Sequence, residues 1–208
     1  MGRATTPIEA NQVKVYSAKL WNETERGSAY WIDRKAEALM VMMAIDTGYR
    51  ISDLLTVKWE DCEEAVIDIA TSYAICITQK KTGKEIYNRV TPHTANLMNE
   101  YRKILRSEGI ISEYVLSNTS GKPYHRQWAI KRMKKASENK EFGSNATEGV
   151  GVHSLRKAAA LRMLNAPNGT IEKVSKYLGH NSVGVTEKYL KVNEKAQDEW
   201  QDEALKSF

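Results

Sequence analysis

The sequence predicts a mainly α-helical domain with one small antiparallel β-sheet, an α+β arrangement. Three observations predict it. Apolar residues recur at helical spacing through most of the chain, residues 66–90 switch to alternation, and the 208 residues contain no internal repeat and no linker-like tract. A chain of this size buries roughly 70% of its unfolded surface, enough for one sizeable core.

The first helix is expected to open at Thr6-Pro7-Ile8-Glu9: an N-cap, a proline at the first helical position and a Glu placed for a capping box. Val13, Tyr16 and Leu20 follow on one face. After the loop NETERGSAY, Ile32, Ala36, Leu39 and Met43 mark a second helix, which Gly48 stops as a C-cap. Tyr73, Ile75 and Ile77 then alternate with Ala74, Cys76 and Thr78. Lys81-Thr82-Gly83-Lys84 turns the chain into residues 86–90, giving a β-hairpin with a charged tip. Thr91-Pro92 opens the next helix, with Leu97, Tyr101, Ile104 and Leu105 inward and Gly109 at its end. A short strand at residues 114–116 and a turn at 118–123 lead into a basic helix, where residues 125–140 hold six Lys or Arg against one Glu. The stretch EFGSNATEGVG reads as a mobile loop. Three helical segments complete the chain: HSLRKAAALRML, TIEKVSKYL and SVGVTEKYLKV.

The charge balance, 31 basic minus 26 acidic residues, is +5, and the pI is near 9.0; such a surplus suits a nucleic-acid partner. With 41% apolar residues and a mean hydropathy of −0.55, the chain reads as globular rather than disordered. No apolar window approaches a membrane span and MGRATTPIEA lacks a signal-peptide run, so the cytoplasm is the expected compartment. Cys62 and Cys76 have no CxxC partner, and His93, His125, His153 and His180 show no HxxxH spacing. Free thiols are expected, with no metal and no cofactor.

Four short patterns carry chemistry. Arg50 lies in TGYRISDLL, just after a helix C-cap and ahead of a new helix start at Ser52-Asp53. Lys81 stands at the hairpin tip. His153 and Arg156 are three apart at a helix start, so both reach one ligand. His180 follows LG, and Tyr189 lies in EKYL. Taken singly, these read as a surface cation, a solubilising lysine, a weak pair and a half-buried aromatic.

In combination they match a known set. The strings TGYRISDLLTVKWEDC, QKKTGKE, HSLRKAAALRML and SKYLGHNSVGVTEKYL, with intervals of 3, 24 and 9 from His153 to Arg156, His180 and Tyr189, resemble the tyrosine recombinase family, the phage integrases in particular. The resemblance spans roughly residues 30–190 and makes the expected fold tyrosine recombinase catalytic-domain-like. It implies that Arg50, Lys81, His153, Arg156 and His180 surround a DNA phosphate that Tyr189 attacks. Those residue types suit the task. Arginines give fixed donors to a phosphodiester gaining charge, and a tyrosine of ordinary pKa near ~10 needs cations and a base to lose its proton. In this resemblance His153 is the base, His180 bonds the phosphate, and Lys81 protonates the leaving 5′-oxygen. The 31-residue interval from Arg50 leaves Lys80 as the alternative. No metal is required, and the product is a 3′-phosphotyrosine that another 5′-hydroxyl reverses without ATP.

The resemblance implies site-specific recombination by cutting and rejoining DNA. A type IB topoisomerase and a catalytically silent DNA-binding protein are the alternatives. Expected partners are double-stranded DNA and further protomers on it, a tetramer in the synaptic complex. Arg126, Lys131, Arg132, Lys134 and Lys135, with Trp128 and Met133 turned inward, are the candidate phosphate-contacting run; a plain solvated face is the other reading. Residues 1–190 are expected to form the catalytic domain. Residues 191–208 hold three Lys against five Asp or Glu, and Ala196, Trp200, Ala204 and Phe208 recur every four residues. That stripe predicts an amphipathic tail, packed on its own domain or exchanged between protomers. Family members commonly carry a further N-terminal helical DNA-binding domain, for which the residues before the Arg50-bearing helix are too few.

Overall fold

The computed structural model describes residues 8–27, 30–142 and 150–190. Among them the elements run α1 (Ala10–Asn22), α2 (Trp31–Thr47), α3 (Ile51–Leu54), β1 (Cys62–Ile67), β2 (Ala70–Thr78), β3 (Glu85–Arg89), α4 (Pro92–Ser107), α5 (Arg126–Glu138), α6 (Val152–Leu164), α7 (Ile171–Leu178) and α8 (Val183–Leu190). The domain is mainly helical with a small antiparallel sheet, as the sequence predicts.

Helix α2 is the axis of the core. Its expected stripe of Ile32, Ala36, Leu39 and Met43 is buried, and so is the rest of its circumference, including Met40, Val41 and Met42. A helix buried all round must be enclosed by others; α1, α4 and α6 supply most of that cover. Val13, Tyr16 and Leu20 are the inward face of α1, and the Tyr16 hydroxyl donates to the buried Glu37 carboxylate at 2.6 Å. At its C-terminal end α2 presents Asp46. This carboxylate accepts from Thr91 N–H and Oγ1 at 2.8 Å, from Thr94 Oγ1 at 2.6 Å and from Arg162 at 3.0 Å. One buried acid thus ties α2 to the starts of α4 and the end of α6. A smaller apolar cluster, Ala160, Val174, Leu178 and Leu190, joins α6, α7 and α8.

Several boundaries differ from the sequence expectation. Helix α1 begins at Ala10 with Glu9 as its extended N-cap and no side-chain cap, so Glu9 is not part of a capping box; Thr6 and Pro7 lie outside the described residues. The expected hairpin is β2 and β3, in register Ile75↔Asn88 and Ile77↔Ile86, but a third strand, β1, pairs antiparallel on the far side of β2. As an edge strand with Glu63, Glu64 and Val66 exposed, it carries little of the apolar alternation that marks a strand in sequence. Residues 114–116 form only a single bridge, Tyr114 to Lys58, because the partner segment is a loop. Most of the expected loop at 141–151, and the tail at 191–208, lie outside the described residues. No helix among the described residues is long and apolar enough to cross a membrane.

Candidate active site

Gly48 ends α2 in the left-handed region at φ 63°. A Cβ there would lie 2.7 Å from the Tyr177 ring, so both the conformation and the close approach require glycine. The reversal sends Tyr49 inward, where its hydroxyl donates to the Ile75 carbonyl at 2.5 Å, and places Arg50 at the N-cap of α3. The Arg50 carbonyl accepts from the Asp53 and Leu54 N–H groups at 2.9 Å. Its Nη1 is buried and has no hydrogen-bond partner among the described residues.

Helix α6 contributes His153 and Arg156, one turn apart on one face. Its first turn is fixed by Ser154, whose Oγ accepts from the Gly151 N–H at 3.1 Å. Arg156 is 4% exposed and donates through Nη1 to the Gly48 carbonyl at 2.6 Å and through Nη2 to the Leu178 carbonyl at 2.8 Å. Two main-chain carbonyls therefore hold this buried guanidinium, and among the described residues no carboxylate forms an ion pair with it, although the Asp53 charge favours its charged form.

His180 follows Gly179, which caps α7 at φ 64°. Its Nε2 lies 3.3 Å from Arg156 Nη2 and its Nδ1 lies 2.8 Å from Thr186 Oγ1. A guanidinium only donates, so Nε2 accepts and the ring proton sits on Nδ1, pointing at Thr186. Tyr189 reaches the site from α8. Its hydroxyl donates to the His153 carbonyl at 3.2 Å, and its ring meets the His180 ring edge-on at 5.7 Å between centroids.

The β2–β3 turn supplies three lysines with different fates. Lys80 Nζ donates to the Ser52 carbonyl at 3.1 Å, and its N–H to Asp53 Oδ1 at 3.3 Å. Lys84 Nζ donates to the His180 carbonyl at 3.0 Å. Lys81 is exposed and makes no hydrogen bond or ion pair among the described residues, yet its charge reaches His153.

The electrostatics of this cluster are those of crowded cations with part of their water removed. Burial first, then Arg126, Arg156, Arg50 and Lys81, holds the His153 ring below its ordinary pKa. Burial, Arg156, Arg50 and Lys84 push His180 down to about 4. Burial followed by the Arg50 charge lowers Arg156 to about 10, which leaves it charged at neutral pH. Burial raises the Tyr189 hydroxyl to about 12, while Arg156 and Arg50 pull it the other way. Both imidazoles are therefore neutral at pH 7, the His180 Nε2 lone pair being taken up by Arg156, and the phenol keeps its proton.

Arg50, His153, Arg156, His180 and Tyr189 are thus brought together, with Lys81 on a flanking turn. The α5 cations divide. Arg126, Lys131, Lys134 and Lys135 are exposed, and Lys134 lies 3.6 Å from Glu138 in a surface pair. Arg132 instead faces the protein: its Nη2 lies 3.1 Å from Asp33 Oδ2, and its guanidinium sits over Trp128. It is engaged in an internal ion pair, unlike the other four cations of the candidate run. Trp128 stacks on Tyr124 at 3.9 Å and Met133 is buried, as the helix pattern predicts. Sequence reading missed the supports. Thr186 orients His180, Asn88 bridges the Thr47 and Tyr177 carbonyls at 2.7 and 2.9 Å, and Tyr177 donates to the Asp46 carbonyl at 2.7 Å. Their partners lie far away in sequence, except Thr186, six residues from His180. Cys62 and Cys76 are free thiols, and among the described residues no three His, Cys, Asp or Glu side chains cluster as metal ligands.

The architecture is that of a tyrosine recombinase catalytic domain. It superposes on XerH recombinase bound to palindromic difH substrate in a post-cleavage complex, with a TM-score of 0.72 and 17% identity over 96% of this chain and 53% of that one. A crystal structure of XerA recombinase gives 0.67 at 16% identity (98% and 64% covered), and a lambda integrase dimer on a COC′ core site gives 0.61 at 19% (91% and 49%). The chain belongs to the phage integrase family, whose sequence pattern matches residues 18–196. It is 28% identical over 166 residues to a probable integrase/recombinase of Methanocaldococcus jannaschii, covering 79% of this chain and 48% of that protein. To tyrosine recombinase XerA of Thermococcus kodakarensis it is 27% identical over 164 residues, covering 76% and 52%. The chain spans about half the length of the curated relatives it matches.

Proposed function

We propose that this chain is the catalytic part of a site-specific DNA recombinase, residues 1–190 forming the catalytic domain, and that it cleaves and rejoins DNA through a 3′-phosphotyrosine. The observation that carries the reading is the surround of Tyr189: its hydroxyl rests on the His153 carbonyl, its ring meets His180, the Arg156 and Arg50 charges act on it, and an Arg50 donor has no acceptor among the described residues. A phosphate suits such a donor set: it offers acceptors to both arginines and offsets their mutual repulsion.

The mechanism follows from the residue chemistry. Arg50 and Arg156 hold the non-bridging oxygens and offset the charge that develops as phosphorus takes a fifth oxygen. Neutral His153 receives the Tyr189 proton. The Tyr189 oxygen bonds to phosphorus, the P–O5′ bond breaks, and the Lys81 ammonium gives its proton to the departing oxygen. Lys81 is preferred to Lys80 because Lys80 is already engaged with Ser52 and Asp53. His180 can donate to the phosphate only after its Nε2 leaves Arg156 and gains a proton. Substrate binding is therefore expected to rearrange this pair. The reverse attack by a 5′-hydroxyl completes strand exchange.

Double-stranded DNA is the proposed partner, gripped by Arg126, Lys131, Lys134 and Lys135 through phosphate contacts. Protomers assemble on it as a tetramer, with residues 191–208 docking on a neighbour, in the cytoplasm. Solved lambda integrase assemblies of this fold include a dimer on a core site and a tetramer on a Holliday junction. Incubation with a nicked duplex carrying a candidate attachment site should yield a protein–DNA adduct that survives denaturation. Relaxation of supercoiled plasmid by dilute monomer would favour a topoisomerase instead, and binding without adducts a silent DNA-binding protein.

A further inference from the structure

We infer that Gln79 is a positioning residue for the proton transfer assigned to Lys81; the inference rests on the reading of the site just given. Gln79 follows β2 and is fully buried. Its Nε2 donates to the Leu178 carbonyl at 2.9 Å, and its Oε1 accepts from Thr82 Oγ1 at 2.7 Å. Its main chain closes the turn: the Gln79 N–H donates to the Lys84 carbonyl, and the Gly83 N–H donates to the Gln79 carbonyl, both at 2.8 Å. Lys81 stands inside that turn.

The Leu178 carbonyl is shared. Arg156 Nη2 donates to it at 2.8 Å, so one oxygen joins the lysine turn to the arginine that would hold the phosphate. Gly179 permits the approach, since a Cβ there would lie 2.7 Å from Gln79 Nε2 and 2.8 Å from Ile86 Cγ2. On the other flank Lys84 reaches the His180 carbonyl, but that contact is exposed and holds weakly. The Gln79 contact is buried, and breaking it strands the amide's N–H donor without a partner.

A general acid must come within hydrogen-bond reach of the leaving oxygen as the P–O5′ bond breaks and its own N–H proton moves to that oxygen. A lysine on a free turn sweeps a wide volume. Anchoring the turn to the atom that Arg156 grips fixes where the Lys81 side chain starts relative to the phosphate.

Gln79→Met keeps the volume and removes the side-chain donor and acceptor. Adduct formation is measured on a nicked duplex carrying a candidate attachment site, once with oxygen and once with sulfur at the 5′-bridging position. The variant should be slower on the oxygen substrate by about 10-fold or more and within about 3-fold of wild type on the sulfur substrate, because a thiolate leaves without a proton. Equal loss on both substrates, or no loss on either, overturns the inference. If Gln79→Met melts well below wild type, Thr82→Val serves in its place, since it keeps the volume and removes only the hydroxyl that donates to Gln79 Oε1; the same pattern is required of it. Absence of any adduct with the wild-type protein would count against the proposed function itself.

Discussion

The Tyr189 hydroxyl donates to the main-chain carbonyl of His153, 3.2 Å away. A carbonyl accepts a hydrogen bond but does not take the proton, so the proposed nucleophile rests on the residue proposed to activate it without being activated. The raised Tyr189 pKa, driven by burial, fits that resting arrangement. Attack requires the hydroxyl to leave the carbonyl for the phosphate, with the His153 ring within reach.

The lysine assignment separates two neighbours. Lys81→Ala should slow cleavage by roughly 10²-fold or more, and a 5′-bridging sulfur should restore most of that loss. Lys80→Ala should show no such sulfur-dependent recovery, because its ammonium is turned to the Ser52 carbonyl while it is the Lys81 charge that acts on His153. Single-turnover rates on the two substrates decide it; sulfur rescue in Lys80→Ala alone would reverse the assignment.

The α5 cations should divide in solution as they do in the fold. Lys131→Ala and Lys135→Ala are expected to weaken DNA binding and each to reduce the salt slope by roughly 0.9 if it contacts one phosphate. Arg132→Ala should leave that slope unchanged and lower stability by about 1 kcal/mol, since it removes a half-buried ion pair with Asp33 and the contact over Trp128. Binding titrations across salt concentrations and chemical denaturation read the two effects separately.

The fold class and the helix order were legible in the sequence because each has a local signature, whereas the site residues were legible only in combination, through the resemblance they carry together. Gly48 and Gly179 punctuate, Thr91-Pro92 caps, and TGYR, HSLR and LGH keep their spacing. What escaped depends on distance. The β1 edge strand buries little, so Glu63 and Glu64 hide its alternation. Arg132 finds Asp33 from 99 positions away, and Gln79 finds Leu178 across the same separation. Neither pairing leaves a trace in its own segment.

Acid should weaken the fold through the two histidines. In the folded chain His180 is held at about 4 and His153 is lowered as well, whereas the unfolded chain takes up protons near ~6.5. The unfolded state therefore binds more protons in this window. Their contribution is complete above about 6.5 and is lost as pH falls toward about 4. Replacing His180 with Gln should flatten that dependence. Melting temperatures measured between those limits would contradict the assignment if the variant were as pH-sensitive as wild type.

The tail carries a separate expectation. Deleting residues 194–208 should weaken cooperative assembly and strand exchange on DNA while leaving the fold and single-site binding intact, because the Ala196, Trp200, Ala204, Phe208 stripe is proposed to dock on a neighbour. Sedimentation and melting of the truncated protein check this. Unfolding in dilute solution would make the stripe part of its own core.

The most direct measurement compares wild type with Tyr189→Phe on one nicked duplex, following both denaturation-resistant adduct and binding affinity. Wild type should form an adduct that peptide mapping locates at Tyr189; the variant should form none and bind DNA within a few-fold of wild type, since affinity rests on many phosphate contacts. An adduct that persists in Tyr189→Phe, or maps to another residue, would contradict the proposed chemistry.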